Sequence, residues 1–156
     1  MSSSKIPDTE LPLGVSQSVD LYLLPYLMNR LANKVNQLWL QELRPQGLTI
    51  QRWQVLSILM VMDGSRVGVL AEMAGAEQAV LSRVIDQMQR DGLVRRKVAA
   101  KDSRVKEVRI TRQGREIYRR LLPKATAHVD RLTNSIGPDK AGRLVGELEQ
   151  MLAKLS

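Results

Sequence analysis

The chain has 156 residues, with 24 lysines and arginines against 16 acids, a formal net charge of +8 and no cysteine. That length buries one core without covalent staples, and the missing thiols exclude disulfides, thiolate metal sites and thiol redox sensing. A single histidine, His128, leaves little for imidazole catalysis or a zinc site. The polar start MSSSKIPDTELPLG and the short apolar run Val55–Met62 predict neither a secretory leader nor a membrane span, so the expected location is the cytoplasm. The charge is uneven. Between Ala76 and Arg120 thirteen basic residues face six acids, while the remaining 111 residues are nearly balanced. Such a concentration is the footprint of a polyanion-binding module.

Taken in chain order, residues 1–17 lack periodicity and read as a flexible arm. Leu23, Leu27, Leu31, Val35, Leu38 and Trp39 recur at helical spacing, with Pro25 tolerable only in a first turn, so a regular helix is predicted from about Leu24 to the stop at Pro45 and Gly47. Thr49 caps a second helix that ends near Gly64. A short third helix is predicted over Val69–Gly75. A fourth follows over Ala76–Asp91, with Leu81, Val84, Ile85 and Met88 on its inner face. The period then changes: Leu93–Val98 and Val105–Thr111 read as the two strands of a charged hairpin. Thr111 caps a fifth helix, Arg112–Ser135, expected to be disturbed by Pro123. After the Gly137-Pro138-Asp139 break, Leu144, Leu148, Met151, Leu152 and Leu155 mark a final amphipathic helix.

Helix, short helix, helix and charged hairpin is the order of a winged helix-turn-helix. The fold class is therefore mainly α with a small β-hairpin wing: a winged helix-turn-helix lobe of about residues 48–111 plus a helical dimerisation domain. A helix that enters a major groove must bury one face and present the other. The fourth helix would present Gln78, Ala79, Ser82, Arg83 and Gln87, types that suit adenine, guanine and thymine edges. Glu77 would repel phosphate and suits the helix dipole or a cytosine amine. Asp86 and Asp91 read as solvated charges. A hairpin this small has no core to occupy Arg95, Arg96, Lys97, Lys101, Arg104, Lys106 and Arg109. Arg96, Lys97, Lys101, Arg104 and Lys106 are the wing candidates for DNA. Asp102 reads as an acceptor that orients either Arg104 or Arg83.

The segments LTIQRWQVLSIL, LAEMAG, QAVLSRVIDQMQRDGLVRR, KDSRVKEVRIT and TRQG resemble, in order and spacing, the MarR family of bacterial regulators over about residues 20–155. The resemblance implies a triangular homodimer in which the first, fifth and sixth helices associate, here about residues 18–45, 112–135 and 139–155. It implies two winged lobes on successive major grooves, and matches the family's wing arginine and aspartate to Arg104 and Asp102. It also implies control by a small aromatic or anionic effector, for which Tyr22, Tyr26, Arg30, Trp53, Met60 and His128 are the candidate lining residues. Two departures stand out. Gly68 occupies the usual polar cap of the short third helix, and Gly75-Ala76 that of the recognition helix. Apart from the resemblance, the long apolar stripes at both chain ends exceed what one winged lobe could bury, which points to a two-fold dimer on half-sites about 34 Å apart.

The expected function is a sequence-specific regulator of transcription that binds an inverted-repeat operator in double-stranded DNA as a homodimer, most often as a repressor released by its effector. The alternative is an architectural nucleic-acid binder without sequence preference. An enzyme is not expected, because no nucleophile–base–acid constellation, phosphate loop or metal-ligand spacing is present, and no cofactor is implied.

Overall fold

Helix α1 (Leu24–Leu43) starts one residue before Pro25, where a missing N–H costs no intrahelical bond. The computed structural model describes residues 22–99 and 102–155, without the side chains of 99 and 102–105. The proposed arm at 1–17 lies outside the described residues. The chain divides into two compact units, Met1–Val35 and Asn36–Ser156, and the division falls inside α1. In the first unit Tyr22, Leu24, Tyr26, Leu27, Met28 and Leu31 are exposed. In the second, the buried residues of α1 are Trp39 and Leu43.

The second unit opens with a 3-10 turn (Arg44–Gln46) built around Pro45. Thr49 Oγ1 then accepts the Arg52 N–H at 3.3 Å and starts α2 (Ile50–Val61). Strand β1 (Ser65–Arg66), α3 (Val67–Ala74), α4 (Gln78–Arg90), β2 (Val94–Ala99), β3 (Asp102–Ile110), α5 (Arg112–Ile136) and α6 (Pro138–Leu155) follow. Leu56, Leu59, Leu70, Leu81, Ile85, Met88 and Val108 are fully buried in one core that joins α2, α3, α4 and the hairpin. Val84, expected on the inner face of α4, is half-buried at its margin.

The sheet has three antiparallel strands in the order β1-β3-β2. Ser65 pairs with Val108 and Val94 with Ile110; the register shifts between Val98 and Ala99, so the regular ladder stops short of the tip of the wing. The sequence reading missed β1, since two residues are too few to show alternation and the partner strand is some forty residues away.

The caps also differ from expectation. Helix α3 begins at Val67 with Arg66 at its N-cap, so Gly68 is already helical and is not a cap. Gly75, at φ 60°, ends α3 in the left-handed conformation that glycine adopts without strain, and the N-cap of α4 is Glu77. Pro123 does not interrupt α5, which is helical from Arg112 to Ile136. Leu121 and His128 are buried on either side of the proline. Tertiary packing of both halves offsets the lost donor.

Asp63 ties the lobe to α5. Its Oδ1 accepts the Ile110 N–H at 2.9 Å and its Oδ2 accepts from Arg115 Nη2 at 2.8 Å. On the opposite side of α5, the Lys124 ammonium donates to Glu42 at 2.7 Å; that hydrogen bond and the charge behind it hold the Glu42 carboxyl below its ordinary range. No described helix is long and apolar enough to cross a membrane.

Candidate nucleic-acid interface

Leu81, Ile85 and Met88 fall at spacings of three and four and bury one side of α4 against the core. The opposite side presents Gln78, Ala79, Arg83 and Gln87 to solvent, with Ser82 half-buried at its edge. Glu77 makes no side-chain capping bond, so the first-turn N–H groups of α4 have no side-chain acceptor from their cap. Helix α4 is thus a polar and partly basic ridge on an apolar keel.

The wing follows the period-two rule. Along β2, Val94 is buried, Arg95 is exposed, Arg96 is half-buried and Lys97 is exposed. Arg96 lies on the same face as Val94 and turns towards α4. Its Nη1 pairs with Asp86 Oδ1, and its Nη2 donates to Ser82 Oγ at 3.1 Å. Arg95, Lys97 and Lys106 are exposed. Arg109 pairs with Glu107 at 2.8 Å and is partly withdrawn from solvent. A groove of about 580 Å3 separates α4 from the wing and is lined by Asp86, Gln89, Arg90, Arg96, Lys97, Val98 and Lys106. Lys101 lies outside the described residues, as do the side chains of Asp102 and Arg104, and with them the choice of partner for Asp102.

Two acids on α4 behave unlike the expectation. Asp86 is bound by Arg96, and Asp91 pairs with Arg52 of α2 at 2.8 Å, so neither is a simple solvated charge. Asp86 sits on the flank of α4 that faces the wing, and Asp91, the C-cap of α4, faces α2. Spacing along α4 alone could not reveal that, because the cations come from elsewhere in the chain. For Arg96 a signal existed: two residues after the buried Val94, it had to share the inner face.

The same fold is found in solved relatives. A crystal structure of a transcriptional regulator, MarR family, from Silicibacter pomeroyi matches with a TM-score of 0.78 and 35% identity, covering 92% of this chain and 97% of that one. The chain belongs to the MarR family. The family's sequence profile matches residues 46–105, from the turn before α2 into the start of β3. The transcriptional regulator MOSR of M. tuberculosis, solved in complex with DNA, matches with a TM-score of 0.68 and 30% identity over 83% of this chain and 96% of that one. The transcriptional activatory protein BadR of Rhodopseudomonas palustris is 33% identical over 101 residues, 62% of this chain; the match spans 58% of that relative's length. Family and fold are those of transcriptional regulators.

In this MarR-family chain the candidate effector residues separate into two groups. Tyr22, Tyr26 and Arg30 are exposed in the first unit. In the second, Trp53 stacks on Tyr118 (ring centroids 4.8 Å, planes 13° apart) and meets Trp39 edge-on at 5.2 Å. Trp39 in turn stacks on His128 at 5.5 Å. Met60 is half-buried, with Arg115 Nη1 at 3.8 Å from its sulfur. The sequence reading omitted Trp39 and Tyr118, which complete the aromatic cluster. Trp39 falls in the apolar stripe of α1 and Tyr118 lies within α5, so pattern alone singles out neither. The chain holds only five aromatic residues, so counting all of them would have brought both in.

His128 is 7% exposed, and its Nε2 has no hydrogen-bond partner among the described residues. Burial, and then the nearby Arg131 charge, lower its pKa from the ordinary histidine value. The unfolded chain therefore binds more protons than the folded one once the pH falls below about 6.5. The protonation of His128 costs no stability well above that pH. As the pH falls from there towards the folded pKa, stability is expected to drop, by at most about 1.4 kcal/mol per pH unit for one group. Urea titrations at pH 7.5, 6.5 and 5.5 should show a smaller decline for His128→Phe than for wild type. Identical pH profiles would mean that His128 titrates alike in both states.

Proposed function

We propose that the chain is a homodimeric, operator-specific regulator that acts in the cytoplasm and is released from DNA by a small aromatic or anionic effector. The observation that carries this reading is the outward face of α4, where Gln78, Ala79, Arg83 and Gln87 stand exposed beside a wing with Arg95, Lys97 and Lys106 exposed. In the docked state the α4 residues and Ser82 read base edges, while Lys97, Lys101 and Lys106 track phosphates. Arg104 enters the minor groove, oriented by Asp102. The dimer reading is supported by α6, an 18-residue amphipathic helix with no buried residue in the single chain. Repression follows where the operator overlaps the promoter, because a dimer seated over about two helical turns occupies the polymerase's site. The effector reading is supported by the Trp39, Trp53, Tyr118 and His128 cluster, whose flat faces and unpaired Nε2 suit an aromatic acid. Release requires tighter effector binding to the DNA-incompetent dimer, with an ordinary coupling of about 1–3 kcal/mol.

Selection from random duplexes tests the reading. The expected product is an inverted repeat of roughly 16–20 bp. No enriched motif would favour the architectural alternative. In the same assay Gln78→Ala is expected to change the preferred bases, whereas Lys101→Ala lowers affinity on every sequence and flattens the salt dependence. Arg104→Ala is expected to weaken operator binding by about 1–3 kcal/mol without changing thermal stability. An unaltered motif for Gln78→Ala would remove that residue from base reading.

A further inference from the structure

We infer that Arg96 is a positioning residue that clasps the wing to the recognition helix and is not a phosphate contact, an inference that rests on the DNA-binding reading above. Ser82 and Asp86 are four apart on α4, so their side chains project from adjacent turns of one face. The two nitrogens of one guanidinium reach both, Nη1 to Asp86 and Nη2 to Ser82. A lysine ammonium, a compact point charge, could not reproduce that planar fork.

The position on the wing explains why such a clasp is useful. Val94 and Val108 anchor the base of the hairpin in the core, both essentially buried. Further towards the tip, Lys97, Val98 and Lys106 are exposed. Arg96, opposite Val108 in the ladder, is therefore where the inner face passes from apolar packing to open groove. A polar link there sets the angle between wing and recognition helix, and that angle decides whether groove reading and phosphate tracking occur together. The link also occupies one lone pair of Ser82 Oγ.

Charge gives a test with opposite signs. A phosphate-contacting arginine releases counterions, and removing it lowers the log–log salt slope by about 0.9. An arginine already neutralised by Asp86 releases few. If Asp86 were only an acid beside DNA, removing its charge would tighten binding. If it holds Arg96, removing it weakens binding.

The experiment compares wild type, Arg96→Gln, Asp86→Asn and the double variant. The probes are the duplex that wild type recovers by selection and a scrambled duplex of equal length. Amide hydrogen exchange of the free protein is followed over residues 94–99 and 102–110. Both single variants are expected to lose about tenfold in affinity for the selected duplex. The double variant should be no worse than the worse single, the salt slope should match wild type, and exchange over the wing should be faster in both singles. Tighter binding by Asp86→Asn, a salt slope reduced by about 0.9 in Arg96→Gln, or unchanged wing exchange would each overturn the clasp. If wild type enriches no motif, the operator reading fails, and the exchange measurement still decides the clasp by itself.

Discussion

Replacing Gly114 by alanine is expected to destabilise the chain by about 1–3 kcal/mol, although alanine is the better helix former. Gly114 lies in the first turn of α5, and a Cβ there would sit 2.3 Å from the Leu93 carbonyl oxygen, 2.8 Å from Ile110 Cγ1 and 3.3 Å from Leu56 Cδ2. The nearest of these is backbone, and it is pinned. The Leu93 carbonyl accepts the Thr111 N–H and the Thr111 hydroxyl, each at 3.0 Å, while Thr111 Oγ1 accepts the Gly114 N–H at 3.1 Å. Making room for one methyl therefore means moving β2, the N-cap of α5, or both. The propensity gain of about 1 kcal/mol is smaller than that cost. Gly142 in α6 is the control: a Cβ there meets nothing within 4 Å, so Gly142→Ala should hold or raise stability. Thermal melts at equal concentration should show Gly114→Ala lowered by several degrees and Gly142→Ala unchanged or raised. An upward shift for both would mean that the close approach at Gly114 relaxes without cost.

The same contact shows how much of the fold could be read in the sequence. TRQG is visible as a motif, and its threonine reads correctly as a cap; the reason for its glycine is a carbonyl twenty-one residues earlier, which no local pattern reveals. Helices α1, α2, α5 and α6, with their long apolar periods, were legible to within a few residues. Helix α3, expected over Val69–Gly75 and found over Val67–Ala74, was legible to the same degree; strand β1 was not, because a two-residue strand is fixed by what it packs against. The candidate interface divides in the same way. The outward face of α4 follows from its period, since knowing the buried side gives the exposed one. The partners of Arg96, Asp86, Asp91 and Arg109 do not follow, because ion pairs between elements depend on the angle at which those elements meet. Composition flagged seven basic residues on the hairpin as one set; the structure withdraws Arg96 and Arg109 into pairs and leaves Arg95, Lys97 and Lys106 exposed.

Charging α6 is expected to have the largest effect on DNA binding with the least effect on the chain's own core. Val145 is 55% exposed and Leu155 82% exposed, and α6 as a whole has no buried residue, so neither side chain is buried within one chain. Val145→Asp with Leu155→Asp should therefore leave the core centred on Leu56, Leu81 and Val108 intact. In the proposed dimer the same carboxylates would be taken from water into an apolar seam, each without a cation to repay its desolvation. The dimer should dissociate. An inverted repeat is then held through one half-site at a time, and the affinity gained by linking two lobes, a factor of about 100 or more, is lost. Sedimentation velocity should show the mass of the variant fall by half, and a gel-shift titration should show weakened binding to the inverted repeat but unchanged binding to an isolated half-site. That last arm separates loss of pairing from damage to the winged lobe, because damage would weaken both. A variant that keeps its mass and its operator affinity would show that α6 is not the seam, and the apolar stripes of α1 and α5 would then have to supply it alone.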